Sequence, residues 1–483
     1  MSEAKLLTAS ATELAAWIRE GRVTSRKVID AHIAQVERVN PTINAVVRNR
    51  YDEARQEADA ADAALRTGDA NELPLLHGVP CTIKECFALE GMPQTSGLLS
   101  RVGKVSGTDA SAVARLRAAG AIPLGVTNIS ELCMWMESAN RVYGRTNNPY
   151  DPTRTVGGSS GGEGAIVAAG GSPFGLGSDV GGSIRMPAFF NGVFGHKPTG
   201  GVVPNTGQFP ITENAGLRYL STGPITRRAE DLMPLLRVLA GPDGMDTECR
   251  PAKLEDPDSV DISRLDVVSI EWNGLIPVGR ELRAAQARTM KALSALGARV
   301  RTAQVKGLRR SLGLWSSMLA DASSVTFREL LGNGTPFNAR REILRWALGK
   351  SPHTLPAIGL AVLERFPESA PEYRRQMLQL GREVRNELVD LIGPSGVLLY
   401  PSYPTLAPKH GIPMIQPFYW VYTAVLNVME LPVTQVPLGL NGAGLPLGVQ
   451  VVATHGNDHV TIAVAMALEQ AFGGWVPPPC VAR

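Results

Sequence analysis

The chain has 483 residues, 44% of them hydrophobic, and its 48 Lys and Arg against 45 Asp and Glu leave a net charge of +3. A balance this close to zero, with no basic block and no basic–aromatic interleaving, argues against nucleic acid as a partner. Five cysteines at irregular spacing (Cys81, Cys86, Cys133, Cys249 and Cys480) argue against a disulfide framework, supply no metal-ligand set and fit a reducing cytoplasm.

The N-terminus, MSEAKLLTASATELAAWIREG, has no secretory apolar region and no cleavage site. No run of about 18 apolar residues follows, so a soluble protein is expected. Residues 10–40 read as two helices, the second capped by Ser25, with Val28, Ile29, Ile33 and Val36 at helical spacing. These helices also offer a surface for a homodimer. Residues 50–67 read as an Ala-rich charged helix and Val79–Ile83 as a short buried strand. Asp109–Ala119 reads as a helix capped by Asp109 and stopped at Gly120, followed by a strand at Ala121–Val126. Val267–Ile270, Glu281–Leu296 and Val300–Val305 repeat the strand–helix–strand alternation. Late strands fall at Gly396–Tyr400, Val433–Pro437 and Leu447–Val452, with a closing helix at Asp458–Phe472. The alternation predicts an α/β fold with a mixed, largely parallel central sheet flanked by helices. No repeat or linker divides the chain, so residues 1–483 read as one domain. Residues 307–375 are helix-rich without strand signals and read as a helical insertion, a lid over the core.

The chemistry concentrates in Thr155–Thr199, which holds thirteen glycines, five serines and four charged residues. Glycine is packed this densely where backbone turns sharply or approaches a ligand closely. An amide carbonyl is a poor electrophile, so an attacking hydroxyl needs a base, and the tetrahedral intermediate needs donors for its oxyanion. Ser183 stands in Asp179-Val-Gly-Gly-Ser-Ile-Arg185. Paired glycines let successive N–H groups converge as in an anion-binding nest. Val180, Gly181, Gly182 and Ser183 are the donors on this reading, and a helix beginning at Ile184 adds its positive end. The same glycines also suit a plain tight turn. Ser159, in Gly157-Gly-Ser-Ser-Gly-Gly162, reads as part of a flexible linker, or as a G-x-S-x-G nucleophile elbow with His455 or His459 downstream. The elbow requires a preceding strand, and NNPYDPTRT is loop-like. Lys84 ends an apolar run (GVPCTIKECF) that would project it into a covered site. Lysine at its ordinary pKa of about 10.4 is useless as a base, and burial lowers that value.

Taken together, Lys84, Ser159 and Ser183 give the chain a pattern that resembles the amidase signature family. The family's glycine- and serine-rich signature matches Gly157–Thr199 almost continuously. The intervals match as well: 183 − 159 = 24 between the serines and 159 − 84 = 75 back to the lysine. The catalytic core on this resemblance spans residues 79–200. GGSSGGEGA, GSDVGGSIRMPAFFNGVFGHKPTG and the late FGGWVPP are most similar to the fatty-acid amide hydrolase branch. The resemblance implies a serine–cis-serine–lysine triad in which Ser183 attacks, Ser159 relays the proton and Lys84 is the base. It further implies orienting roles for Ser160, Ser178, Asp179 and Arg185, a substrate-pocket position for Cys133, no catalytic role for His196, and neither metal nor cofactor. Cys133 fits an ordinary buried core thiol equally well.

The lid carries apolar residues such as Leu312, Trp315, Leu319, Leu360 and Leu363 at helical spacing. Amphipathic helices usually bury one face against the core; the sharper reading is a wall for an apolar acyl channel. Arg340–Phe366, with Arg341, Arg345, Lys350 and Trp346, also suits a hairpin in peripheral contact with a membrane. Phe418, Tyr419, Trp420 and Tyr422 fit either pocket lining or core. The expected function is hydrolysis of lipophilic carboxylic amides, of the fatty-acid amide or N-acyl amine type, through an acyl-enzyme. The alternative is the glutamine-hydrolysing A subunit of a tRNA-dependent amidotransferase, against which the apolar lid and weak charge speak.

Overall fold

Strands buried at every position need cover on both faces, and the chain supplies it by placing one large sheet between helices. A computed structural model describes residues 1–364 and 370–481. The sheet has eleven strands: β1 (Val46–Asn49), β2 (Pro80–Lys84), β3 (Ile122–Thr127), β4 (Phe174–Asp179), β5 (Phe194–Lys197), β6 (Ser221–Thr226), β7 (Asp266–Ser269), β8 (Arg299–Thr302), β9 (Gly396–Tyr400), β10 (Val433–Leu440) and β11 (Pro446–Val452). Their spatial order is β1-β3-β2-β4-β6-β5-β10-β11-β9-β7-β8.

The sheet is mixed. Parallel pairing occupies two blocks, β3-β2-β4 and β9-β7-β8. The contacts from β4 through β6, β5, β10 and β11 to β9 are antiparallel, as is β1 against β3. Connection length accounts for the difference. Residues 441–445 close β10 onto β11 as a tight turn, with Asn441 N–H donating to Leu445 O. Parallel neighbours need a crossover, as the helix Ser111–Ala118 provides between β2 and β3.

Three elements depart from their sequence signals. Thr24, not Ser25, caps the second N-terminal helix, its hydroxyl accepting from Lys27 N–H. Ser25 is instead buried and donates to Gly78 O at 2.8 Å. Asp109 does not cap the helix at Ser111–Ala118; it accepts from Glu90 N–H and pairs with Arg117. The strand expected at Val300–Val305 ends at Thr302, where the chain leaves the sheet edge. β4, β5 and β6 carried no strand signal, because FGLGSD and STGPIT are rich in glycine and small polar residues. Burial between neighbours makes them strands.

Residues 307–375 hold the helices Ser311–Ala322, Phe327–Gly332, Ala339–Ala347 and Leu355–Leu363 and the start of the helix Pro371–Ile392, and no strand among the described residues. Arg365 and Phe366, at the end of the suggested hairpin, lie outside the described residues. Glu131 ties this region to the core: its carboxylate accepts from His353 Nδ1 and Thr354 N–H, both at 2.7 Å. Among the described residues no helix is long and apolar enough to cross a membrane.

Candidate active site

The parallel register of β2 on β4 pairs Thr82 with Gly175 and Ile83 with Leu176, so the ends of both strands meet. Such strand ends are where open α/β sheets place their ligands. Lys84 closes β2 and is fully buried. Its Nζ lies 2.7 Å from Ser159 Oγ, 2.9 Å from Ser178 Oγ and 3.3 Å from Ser178 O. Ser160 Oγ donates to the same Ser178 carbonyl at 3.3 Å. Among the described residues no carboxylate forms an ion pair with Lys84.

Behind the lysine lies a carboxyl that the sequence did not advertise. Glu163 accepts from Thr82 Oγ1 at 2.5 Å and from Thr127 Oγ1 at 2.7 Å. Burial pushes it up to about 8, against the opposing pull of both threonines and of Lys84. Gly175 makes room for it, since a Cβ there would fall inside the carboxylate.

Ser159 is held from its backbone. The Gly158–Ser159 peptide is cis. Ser138 Oγ lies within hydrogen-bonding distance of Gly157 O, Ser159 O and Gly161 N, at 3.1, 3.2 and 2.9 Å. Every residue from Gly157 to Gly162 is buried, which a linker would not be. The segment before it forms no strand, and His455 and His459 bind elsewhere. The elbow therefore lacks both its strand and its histidine. His196 is likewise engaged away from the serines, with Thr434 and Asp458.

The Asp179–Arg185 turn is organised by its two ends. Asp179 accepts from the backbone N–H groups of Gly182, Ile184 and Arg185, and from Arg185 Nε at 2.9 Å and Nη2 at 3.0 Å. Burial alone would raise its carboxyl, but the Arg185 charge and hydrogen bonds, with Asn427, hold it well below the ordinary range. Arg185 is itself fully buried and reaches Thr423 O, Gln450 and Asn427.

This arrangement corrects the donor set. Gly182 N–H is spent on Asp179 at 2.6 Å. The start of the helix Arg185–Phe190 is occupied by the same carboxylate, so its positive end is not free for an oxyanion. Val180, Gly181 and Ser183 N–H remain without acceptors among the described residues. The carbonyl of each of their peptide planes is pinned. Asn427 Nδ2 donates to Asp179 O at 2.8 Å, Trp315 Nε1 to Val180 O at 2.8 Å, and Met186 N–H to Gly182 O at 2.8 Å. In a trans peptide N–H and C=O point opposite ways, so holding each carbonyl aims the N–H beyond it. Gly182 is a glycine of necessity: its φ is +117°, and a Cβ would strike the Thr423 hydroxyl.

Ser160 N–H donates to Ser183 O at 3.2 Å, which joins the two serine segments. No hydrogen bond links the Ser159 and Ser183 hydroxyls among the described residues. Ser159, Ser178 and Ser183 share one wall of a cavity of about 710 Å³. Cys133 lines it too; the neighbouring Cys86 thiol and the Lys84 charge pull the Cys133 thiol below its ordinary range. Leu312, Trp315, Leu319, Leu360 and Leu363 of the insertion form much of the rest. Phe418 and Trp420 also line it, whereas Tyr419 packs on Tyr403 and Tyr422 turns inward to Asn273. A large apolar cavity with a few convergent polar groups is the usual form of a small-molecule site.

Thr423, Asn427 and Glu163 are the site residues that sequence reasoning missed; Trp315 was read as a lid residue, which lines the cavity, but not as a partner of the turn. Only Glu163 lay inside the glycine-rich stretch, where an isolated acid among apolar and small neighbours was a signal.

Comparisons with known proteins point to one family. A family model described as Amidase matches residues 27–462. The chain is 47% identical over 489 residues to fatty-acid amide hydrolase 2 of Homo sapiens, covering 98% of this chain and 91% of the human protein. It is 31% identical over 496 residues to the A subunit of glutamyl-tRNA(Gln) amidotransferase from Oleidesulfovibrio alaskensis, covering 97% and 98%. Among solved structures, 6-aminohexanoate cyclic dimer hydrolase complexed with substrate superposes with a TM-score of 0.81 at 27% identity, covering 98% of this chain and 99% of that one.

Proposed function

The chain belongs to the amidase signature family, and from that premise we propose that it hydrolyses amides of lipophilic carboxylic acids by way of an acyl-enzyme. The carrying observation is the Lys84–Ser159 contact beside Ser183, at the head of an apolar cavity. Ser183 Oγ attacks the carbonyl carbon while its proton passes to Ser159 Oγ, whose own proton passes to Lys84 Nζ. Val180, Gly181 and Ser183 N–H bear the oxyanion. The relay then runs in reverse to protonate the departing amine. Water repeats the cycle on the ester and releases the acid, returning Ser183 to its starting state.

Identity supports the lipophilic reading over the amidotransferase reading, at 47% against 31%. So does the apolar cavity: among the described residues its one charged lining side chain is Glu364, which already accepts from Phe327 and Arg328 N–H, leaving little to bind glutamine's α-amino and α-carboxyl groups. Within the insertion, Ile343, Leu344, Trp346 and Leu348 are exposed next to Arg341 and Arg345 in the chain, a composition suited to peripheral membrane contact. The five free cysteines suit a reducing compartment such as the cytoplasm. Purified protein assayed on amides of graded acyl length and on glutamine decides the matter. Turnover that rises with acyl length supports the proposal; turnover of glutamine alone overturns it.

A further inference from the structure

Trp315 belongs to the insertion, not to the glycine-rich signature, yet its indole N–H donates to Val180 O at 2.8 Å. That carbonyl shares a peptide plane with Gly181 N–H, one of the three free donors of the turn. The next carbonyl, Gly181 O, accepts from Thr423 Oγ1 at 2.8 Å. Trp420 precedes Thr423 by one helical turn and packs edge-to-face on Trp315, with ring centroids 4.6 Å apart. The indole is therefore fixed in position before it fixes the peptide. Its other edge lines the cavity.

We propose that Trp315 is a positioning residue for the reaction: by holding Val180 O it keeps Gly181 N–H aimed at the developing oxyanion. This rests on the functional reading above. Without the indole donor, Val180 O loses its only partner among the described residues, and the Val180–Gly181 plane is free to rotate. Glycine on one side of that plane removes the steric barrier that would otherwise retain it. Deletion of an oxyanion donor costs roughly a hundred- to a thousandfold in kcat. A donor left in place but unheld should cost less, about ten- to a hundredfold.

The test compares wild type with Trp315→Phe, which keeps an aromatic ring against Trp420. A second variant carries 3-benzothienylalanine at position 315, which keeps the indole outline and removes only the N–H. Both are assayed on a fatty-acid amide and on the p-nitrophenyl ester of the same acid, and both are titrated with the matching alkyl trifluoromethyl ketone. The expected result is a fall in kcat of about ten- to a hundredfold with KM within about threefold. Affinity for the trifluoromethyl ketone, which forms a tetrahedral oxyanion on Ser183, should fall by the same factor as kcat/KM. An unchanged kcat in the benzothienyl variant, or a loss confined to KM, overturns the proposal and leaves Trp315 as cavity wall. Failure of wild type to hydrolyse the amide counts against the functional reading instead, and the ester comparison then still decides the role of Trp315.

Discussion

Lys84 Nζ stands 2.7 Å from Ser159 Oγ, and among the described residues it is also within hydrogen-bonding distance of the hydroxyl and carbonyl of Ser178. These three atoms are neutral oxygens. A proton shared between Ser159 and the lysine crosses a single short hydrogen bond, with no imidazole or carboxylate in the path. Replacing Lys84 by Ala should lower kcat/KM on an amide by about 100- to 10,000-fold, the usual range for loss of a general base. The residual rate should climb with pH as hydroxide substitutes for the amine. Ester hydrolysis should suffer less, because its leaving group departs without a proton. Rate–pH profiles on matched amide and ester pairs check this.

Arg185 and Asp179 form a fully buried ion pair that also orders the donor turn. Removing one partner leaves the other charge buried and uncompensated, which costs about 3–5 kcal/mol. Arg185→Leu should lower the urea midpoint accordingly, and the folded fraction should lose activity as well. Equal stability of variant and wild type would mean that Asp179 is not ionised in the native turn.

Glu163 carries a pH signature. Its carboxyl is raised from 4.5 to about 8 in the folded chain. The native state therefore binds a proton that the unfolded chain releases between those values. The resulting stability is fully present below about pH 4.5 and is lost as pH rises through about 8. Glu163→Gln keeps a neutral hydrogen-bonding group and removes the titration. Urea midpoints of the two proteins should lie close together at pH 5 and separate by pH 8, with the glutamine variant higher. The gap should be on the order of a few kcal/mol, since each pH unit between the unfolded and folded values is worth about 1.4 kcal/mol. Parallel stability curves would show that Glu163 does not titrate there.

The cavity should read acyl length as transfer free energy. Each buried methylene is worth about 0.8 kcal/mol, which corresponds to about a fourfold rise in kcat/KM per carbon until the cavity is filled. Leu360→Trp narrows the cavity from its insertion side and should flatten the series for the longer acids while leaving short ones nearly unaffected. A uniform loss across the series would place Leu360 outside the acyl path.

Much of the fold and site was legible because their signals are local. Residues 50–67 and Asp458–Phe472 carry helical periodicity, and Val79–Ile83 is an uninterrupted apolar run. β4 and β6 were not legible, since glycine and threonine become strand residues there only through neighbours far along the chain. The glycine-rich turn revealed its serines but not its wiring. Whether Gly182 N–H faces a ligand or Asp179 depends on a carboxylate three residues back and on Asn427, which lies 248 positions beyond Asp179. Trp315 was visible as an apolar lid residue, but its hydrogen bond to Val180 spans 135 positions and has no local trace. Ser25 and Asp109 misled for the same reason: each has good capping chemistry, and each is claimed by a tertiary partner.

The most direct measurement is the site of covalent capture. Wild-type protein treated with a fluorophosphonate, digested and mapped by mass spectrometry should carry the adduct on Ser183, and Lys84→Ala should acquire it far more slowly. An adduct on Ser159, or labelling of Ser183 at an undiminished rate once Lys84 is gone, would contradict the assignment of nucleophile and base.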